Sequence, residues 1–333
     1  VEINGSSILI TGGTGSFGQK FTKLLLTEYK AKKVVVFSRD ELKQYEMAQE
    51  ITSPNLRYFI GDVRDEDRLC RALSGIDIVI HAAALKQVPA AEYNPIECIK
   101  TNVMGAENII NASIDANIKK VIALSTDKAV NPMNLYGATK LCSDKLFVAA
   151  NNLSGAKGPI FSVVRYGNVV GSRGSVIPFF KRLKETGKLP ITDRRMTRFW
   201  LTLQQGAQFV EKCIPLMKGG EVFIPKIPSM KITDLAAAIA PDCKLEIIGI
   251  RPGEKLHEEM ITDSDAESTV DLGQYFAILP SYQDQDYKFD YINQRPDAVP
   301  YNQGAYSSDS NTDFLSVEQL KKLIDNMFRE QDV

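Results

Sequence analysis

Short apolar runs recur along the first half of the chain, and segments with a helical spacing of apolar residues separate them. The runs cover residues 7–11, 33–37, 56–60, 77–81, 121–124 and 159–165. Uninterrupted apolar strands that alternate with helices are typical of a parallel sheet covered on both faces. The pattern predicts an α/β protein with a Rossmann-type doubly wound parallel sheet, whose ligands bind beyond the carboxyl ends of the strands.

The overall composition is that of an ordinary globular protein of 333 residues, 44% apolar and 24% charged. Its 40 Lys and Arg residues balance 41 Asp and Glu residues, so the charge favours neither nucleic acid nor an anionic membrane as a partner. Five scattered cysteines and two histidines predict reduced thiols and no metal site. No apolar run approaches the roughly 20 residues of a membrane span, and no signal peptide is evident, so we expect a cytoplasmic protein.

A glycine-rich turn follows the first predicted strand at once. Its glycines stand three residues apart and precede a predicted helix. This spacing lets the backbone turn tightly, approach a pyrophosphate and direct the helix N-terminus at the anion. A tight turn without a ligand is the alternative at this point. We predict that the turn binds a dinucleotide through Gly12, Thr14, Gly15, Ser16, Phe17 and Gly18.

The second predicted strand ends in residues that discriminate between NAD and NADP. A carboxylate at this position usually binds the ribose hydroxyl of NAD, whereas an arginine accommodates the 2′-phosphate of NADP. Ser38 and Arg39 therefore favour NADP, with Lys43 as a second cation one turn later. We expect Asp40 to cap the following helix and to point away from the ribose.

Further cofactor residues are predicted after the third and fourth strands. Asp62 and Val63 follow the third strand, where they are placed to contact the adenine, although Asp62 or a neighbouring aspartate could instead cap the next helix. Ala82 follows the fourth strand and leaves room for the nicotinamide ribose, and Lys86 can reach cofactor or substrate. We expect His81 to be a hydrogen-bonded core residue.

The fifth predicted strand delivers the candidate catalytic residues Thr126, Asp127 and Lys128 at its carboxyl end. A loop follows, and Tyr136 opens the next helix. Tyr136 and Lys140 are four residues apart and share a face of that helix. A nearby ammonium lowers the pKa of a phenol from about 10 toward working pH, so Tyr136 is predicted to be the base for an alcohol proton. Thr126 is placed to hold the same substrate oxygen.

Candidate substrate-binding residues lie in the second half of the chain. A glycine-rich loop after the sixth strand carries Asn168, Arg173 and Val176, and an arginine-rich region further on carries Thr192 and Arg251. Amide and guanidinium groups suit a nucleotide diphosphate. We expect Arg173 and Arg251 to bind that diphosphate, and Lys86 to contribute from the cofactor side.

Three regions follow from these assignments. Residues 1–168 are predicted to form an NADP-binding Rossmann domain, and residues 169–280 mainly a nucleotide-sugar-binding lobe. Residues 281–333 are polar and are predicted to form a mostly irregular C-terminal arm that ends in a helix. Ser316 and Gln319 have the spacing of a capping box for that last helix.

The motifs together resemble the extended short-chain dehydrogenase/reductase superfamily, through the glycine turn, Asp62, Thr126, Tyr136 and Lys140. A closer resemblance to the UDP-N-acetylglucosamine 4,6-dehydratases, and among them to the inverting enzymes that begin pseudaminic acid synthesis for flagellin glycosylation, is carried by residues 38–43, 81–86, 125–132, 165–174 and 249–257. The resemblance implies NADP as cofactor, UDP-N-acetylglucosamine as substrate and a homo-oligomer.

The resemblance also implies a redox-neutral loss of water. Tyr136 takes the C4 hydroxyl proton as hydride leaves C4, the resulting ketone acidifies the C5 proton, and hydride returns to C6 as the C6 hydroxyl departs. In the implied acid/base pair, Lys128 is made neutral by burial beside Lys140 and removes the C5 proton, while protonated Asp127 helps hydroxide to leave. Proton return from the opposite face gives UDP-2-acetamido-2,6-dideoxy-β-L-arabino-hex-4-ulose.

Two other functions are compatible with these residues. A nucleotide-sugar 4-epimerase needs Tyr136 and Lys140 but no acid/base pair for C5 and C6. A catalytically silent NADP-binding sensor is the other alternative, although such sensors often lack the Tyr-Lys pair that is intact here. Asp127 and Lys128 therefore favour the dehydratase.

Overall fold

Strands and helices alternate regularly through the first half of the computed structural model, which describes residues 2–170, 176–283 and 285–329. The strands are β1 (Ser7–Thr11), β2 (Lys33–Ser38), β3 (Leu56–Ile60), β4 (Ile78–His81), β5 (Lys120–Thr126), β6 (Ile160–Tyr166), β7 (Val169–Val170), β8 (Lys188–Ile191), β9 (Thr197–Phe199), β10 (Leu201–Thr202), β11 (Val222–Pro225), β12 (Ser229–Lys231), β13 (Lys244–Ile247), β14 (Glu259–Ile261), β15 (Thr269–Asp271), β16 (Tyr275–Ile278), β17 (Val299–Pro300) and β18 (Tyr306–Ser307).

The α-helices are α1 (Ser16–Thr27), α2 (Glu41–Glu50), α3 (Glu66–Ala72), α4 (Val88–Tyr93), α5 (Pro95–Ile99), α6 (Gly105–Asp115), α7 (Leu135–Ser154), α8 (Val176–Leu183), α9 (Leu203–Leu216), α10 (Ile232–Ile239), α11 (Asp263–Ala266), α12 (Gln285–Asn293) and α13 (Val317–Arg329). A π-helical turn, Lys100–Met104, joins α5 to α6, and two short 3₁₀ turns are Asp127–Ala129 and Lys184–Thr186. Within the described residues, no helix combines the length and apolarity needed to cross a membrane.

Ten of the described strands form one twisted sheet in the order β3, β2, β1, β4, β5, β6, β11, β16, β15, β17. Every pair from β3 to β11 is parallel, and the helices between these strands cover the sheet. Because β5 and β6 pair in register from Lys120 with Ile160 to Thr126 with Tyr166, both end at the same edge. The predicted α/β fold with a Rossmann-type parallel sheet is confirmed.

The sheet continues past residue 168, where we expected the cofactor domain to end. β11 adds in parallel, and β16, β15 and β17 then follow as antiparallel strands. The region after residue 281 is also more regular than expected, since α12 and β17 lie in it. Aromatic packing explains the difference, because Tyr291 is buried and the guanidinium of Arg295 lies 3.8 Å from its ring centre.

A second, smaller core lies beside the sheet and joins α8, α10 and α13, with Trp200 and Leu235 among its buried residues. The predicted capping box of α13 is present. The Gln319 backbone N–H donates to Ser316 Oγ at 3.2 Å, and the Ser316 N–H donates to Gln319 Oε1 at 2.8 Å.

Candidate active site

The carboxyl end of β5 and the start of α7 form the centre of the candidate site. Thr126 Oγ1 donates to Asp127 Oδ1 at 2.9 Å and accepts a hydrogen bond from the Lys128 backbone N–H. Asn134 caps α7 by accepting a hydrogen bond from the Gly137 N–H at 2.8 Å. The cap fixes Tyr136 in the first turn, where its phenol is hydrogen-bonded to Thr126.

Tyr136 is buried, and burial raises its pKa to about 12, against the opposing effects of the Lys128 ammonium and the Thr126 hydrogen bond. The expected lowering of this pKa is therefore wrong for this structure, because desolvation of the phenolate outweighs the nearby charge. Among the described cations, Lys128 has the largest effect on the pKa of Tyr136.

Lys140 is buried in the helix beneath the site. Burial lowers its pKa, and the carboxylate of Asp144 opposes that effect. Burial and the charge of Lys140 lower the pKa of His81 to about 3. His81 Nδ1 is hydrogen-bonded to Thr11 Oγ1 at 2.9 Å, which confirms that His81 is a satisfied core residue.

Lys128 forms an ion pair with Asp127. Its Nζ lies 3.1 Å from Asp127 Oδ1 and donates to Asn168 Oδ1 at 3.0 Å, with Glu258 Oε1 at 3.7 Å. Burial alone would lower the pKa of Lys128, but the two carboxylates outweigh it and raise that pKa. The expectation of a neutral Lys128 is therefore wrong, because two carboxylates stabilise its ammonium.

Sequence reasoning missed Glu258 and Arg198, which complete this charged cluster. Arg198 Nε lies 3.6 Å from Glu258 Oε1, and its guanidinium donates to the backbone carbonyls of residues 255 and 256. Burial and the nearby Asp127 raise the pKa of Glu258. The run of charged residues directly after Gly253 is the signal that could have found Glu258.

The segment before Glu258 is fastened to the loop between β5 and α7. Asn134 Nδ2 donates to the Gly253 carbonyl at 2.9 Å, and Lys255 Nζ donates to the Val130 carbonyl. Arg251 is exposed, and its Nε lies 3.4 Å from Glu254 Oε2. The structure thus brings the second lobe against the catalytic loop.

The other candidate substrate residues are less closely tied to this cluster. Thr192 is buried just after β8, and Val176 is the first residue of α8. Arg173, the other residue predicted to bind a diphosphate, lies outside the described residues. Asn168 lies at the centre, since its amide oxygen accepts the hydrogen bond from Lys128.

The turn between β1 and α1 fits a dinucleotide. Gly12 has a φ of +63°, and a Cβ there would lie 2.9 Å from the Ala83 backbone. A Cβ on Gly18 would lie 2.4 Å from the Gly13 carbonyl oxygen, so the helix packs directly on the turn. Gly15 is the N-cap residue of α1 and offers no side-chain cap, and the first turn of α1 has no acidic residue. The N-terminal amides of α1 are therefore available to an anion.

The end of β2 carries the residues expected to select NADP. Asp40 accepts a hydrogen bond from the Lys43 N–H at 3.0 Å, so its predicted role as the cap of α2 is confirmed. Lys43 Nζ lies 2.6 Å from Asp40 Oδ2. Ser38 Oγ accepts from Gln44, whereas the half-exposed Arg39 lies 3.5 Å from Asp62.

Asp62 and Lys86 are two further residues predicted to contact the cofactor. The Asp62 carboxylate accepts hydrogen bonds from Arg64, and these outweigh burial and lower its pKa. Asp65, rather than Asp62, caps α3. Partial desolvation and the charge of Lys128 lower the pKa of Lys86.

Hydrogen bonds hold the loops at the strand ends against neighbouring elements. The Ala82 N–H donates to Thr11 Oγ1 at 3.1 Å, and buried Val63 accepts a hydrogen bond at its carbonyl from Asn108. Asn102, in the π-helical turn, pairs with both the N–H and the carbonyl of Leu85 at 2.8 and 2.9 Å. In the part of the chain described, no cluster of His, Cys, Asp or Glu has the arrangement of a metal site.

The sheet is mostly parallel, a glycine turn follows its first strand, and a helix with a buried Tyr-x-x-x-Lys pair follows its fifth. These features define the class of the extended short-chain dehydrogenases/reductases. The chain belongs to the polysaccharide biosynthesis protein family, whose model matches residues 8–280.

Two relatives and one solved structure are similar to this chain over nearly its whole length. The UDP-N-acetylglucosamine 4,6-dehydratase (inverting) of Campylobacter jejuni is 57% identical over 97% of this chain and 98% of that relative. A UDP-glucose 4-epimerase of Rickettsia akari is 39% identical over 96% and 95%. The X-ray structure of Pen from Bacillus thuringiensis superimposes with a TM-score of 0.89 at 38% identity, covering 98% of this chain and 99% of Pen.

Proposed function

We propose that this chain is an NADP-dependent UDP-N-acetylglucosamine 4,6-dehydratase that inverts C5. The observation that carries the proposal is the ion pair of Asp127 and Lys128 beside Tyr136. A 4-epimerase needs only the alcohol base, whereas loss of water also needs a proton acceptor and a proton donor for C5 and C6. The greater identity to an inverting dehydratase than to the epimerase supports the same choice.

NADP would supply reversible acceptance of hydride from C4 and its delivery to C6. The residues that would hold it are Gly12, Thr14, Gly15, Ser16, Phe17, Gly18, Ser38, Arg39, Lys43, Asp62, Val63, Ala82 and Lys86, with Tyr136 and Lys140 at the nicotinamide end. Asp40 contributes indirectly, because its carboxylate forms an ion pair with Lys43 and so positions that ammonium. The residues proposed to hold the UDP-sugar are Lys86, Asn168, Arg173, Val176, Thr192 and Arg251.

The side chains then move protons in a balanced sequence. Tyr136 accepts the O4 proton, with Thr126 holding the phenol. The Asp127 carboxylate accepts the C5 proton and passes it to the departing C6 hydroxyl, which leaves as water. The Lys128 ammonium returns a proton to C5 and is recharged by the proton that Tyr136 received. Because removal and return at C5 use two different groups, inversion is possible.

We further propose the setting in which this reaction takes place. The protein would work in the cytoplasm as a homo-oligomer and would supply UDP-2-acetamido-2,6-dideoxy-β-L-arabino-hex-4-ulose to pseudaminic acid synthesis and flagellin glycosylation. The similarity to the inverting dehydratase of Campylobacter jejuni supports this setting.

Mass spectrometry of the sugar nucleotide tests the proposed function. Incubation of the NADP-loaded protein with UDP-N-acetylglucosamine should give a product lighter by one water. A C4 epimer of unchanged mass, distinguished from the substrate by nuclear magnetic resonance of the sugar, would instead identify a 4-epimerase, and unchanged substrate would favour a silent sensor.

A further inference from the structure

Glu258 is a buried carboxylate that the steps above do not use. It directly precedes β14, and Ser308 fixes its backbone on both sides. The Glu258 N–H donates to Ser308 Oγ at 2.9 Å, and the Ser308 N–H donates to the Glu258 carbonyl at 2.7 Å. Glu258 is only 3% exposed to solvent. The fold therefore holds this carboxylate in one place, beside the ion pair of Asp127 and Lys128.

Three cations surround Glu258 without a close hydrogen bond. Oε1 lies 3.7 Å from Lys128 Nζ and 3.6 Å from Arg198 Nε, and Oε2 lies 3.9 Å from Lys255 Nζ. Oε2 accepts no hydrogen bond from any described residue. Burial of a carboxylate that lacks hydrogen bonds is costly, so a purely structural role explains this arrangement poorly.

Glu221, the residue before β11, shows what a structural buried glutamate looks like in this protein. It is fully buried, and its oxygens accept hydrogen bonds from Ser162 Oγ at 2.7 Å and from the N–H groups of Lys218 and Gly219 at 2.8 Å. Glu258 lacks such partners and faces the reactive ion pair instead. The contrast favours a role for Glu258 in the chemistry of that pair.

We propose that Glu258 is a positioning residue for dehydration, whose carboxylate holds the Lys128 ammonium in its ion pair with Asp127, the group that takes the C5 proton and passes it to the departing C6 hydroxyl. The inference rests on the proposed function. Glu258 adds a second negative charge to that of Asp127, so the ammonium is held between two carboxylates. The other charged or titratable groups acting on Lys128 and Glu258 are Tyr136, Lys86, Arg198 and Lys255.

A single turnover of Glu258→Gln tests this inference. The NADP-loaded protein is mixed with UDP-N-acetylglucosamine, reduced nicotinamide is followed by its near-ultraviolet absorbance, and water loss is followed by mass spectrometry. Hydride removal should stay within about twofold of wild type because Tyr136 and Thr126 are untouched, whereas water loss should slow by at least about tenfold. Reduced nicotinamide should therefore accumulate.

Glu259→Gln is the matched control, since it makes the same charge change one residue along, where the carboxylate instead accepts a hydrogen bond from Asn131 at 2.6 Å. Hydride removal and water loss in this variant should both proceed at the wild-type rates. Glu258→Asp keeps the charge and should recover part of the rate of water loss.

Water loss at the wild-type rate in Glu258→Gln, or equal slowing of both phases, overturns the inference. If that variant does not fold, Glu258→Asp carries the test by the same criterion, with water loss slowed selectively. A wild-type protein that forms reduced nicotinamide but releases no water overturns the proposed function, and the inference with it.

Discussion

Tyr136 is buried beside Thr126 and Lys128, and its raised pKa makes it a base only when nearby positive charge assists it. Replacing Tyr136 with Phe keeps the packed ring and removes the proton acceptor. Turnover should fall by at least about 100-fold, the usual contribution of a general base, while the fold and NADP affinity stay nearly unchanged. Steady-state kinetics and calorimetry measure both quantities, and a variant that keeps more than about a tenth of the wild-type rate would show that Tyr136 is not the base.

Arg39 is the residue on which the preference for NADP depends. It is half exposed, whereas the neighbouring Asp40 is occupied as a helix cap. Calorimetric titration of the protein should show at least a tenfold preference for NADP⁺ over NAD⁺, about 1.4 kcal/mol, which Arg39→Ala should remove. Equal affinities of the wild type for the two cofactors would refute this assignment.

At this scale, the sequence predicted which residues meet but not how they are protonated. Thr126, Asp127, Lys128 and Tyr136 are close in the chain, so strand and helix geometry alone places them together. The protonation of Lys128 depends on its burial, on the neighbouring Asp127 and on Glu258, which is 130 positions away in the sequence. The proton on Lys128 therefore depends on tertiary structure.

At the scale of elements, the turn from β1 to α1 shows why glycine is needed at one position. Gly12 and Gly5 both have positive φ, at +63° and +75°, but a Cβ on Gly5 would meet nothing within 4 Å. Gly12→Ala should therefore lose cofactor affinity and more stability than Gly5→Ala, because it adds a clash with Ala83 to the backbone strain that both share. Thermal unfolding and NADP titration of the two variants make the comparison, and equal effects would contradict it.

Most elements of the first half could be predicted because apolar strands and capped helices leave local signals. Two departures have identifiable causes. The sequence predicts one long helix over residues 95–117 with a buried, hydrogen-bonded Asn102. The π-helical turn that carries Asn102 divides this helix, and Asn102 pairs with the backbone of Leu85. The expected irregular arm contains α12, whose buried Tyr291 supplies an aromatic rather than an aliphatic anchor.

At the scale of the whole molecule, His81 couples stability to pH. Its pKa is about 3 in the fold against an ordinary 6.5, so the unfolded chain binds the extra proton between these values. Stability from His81 is fully present above about pH 6.5 and is lost as pH falls toward 3. Between pH 7 and 5 the wild type should lose about 2 kcal/mol more unfolding free energy than His81→Asn. Urea unfolding measures this difference, and identical pH dependence would contradict it.

The contacts between the second half of the chain and the catalytic loop were the hardest feature to predict. Arg198 and Glu258 come from separate segments of the second half. Asn134 and Lys255 join the segment of Glu258 to the catalytic loop, and Arg198 is held beside Glu258 by its hydrogen bonds to the carbonyls of residues 255 and 256. Such contacts have no local pattern in the sequence. Their consequence is an ammonium at a position where a neutral amine was expected.

The configuration and isotope content of the product at C5 test the central claim most directly. When the NADP-loaded protein converts UDP-N-acetylglucosamine in D₂O, nuclear magnetic resonance should show one deuterium at C5 in a 4-keto-6-deoxy sugar of L-configuration. This result follows because Asp127 removes the C5 proton and Lys128, exchanged with solvent, returns another from the opposite face. A product with the D-configuration at C5, or one without deuterium there, would contradict the account.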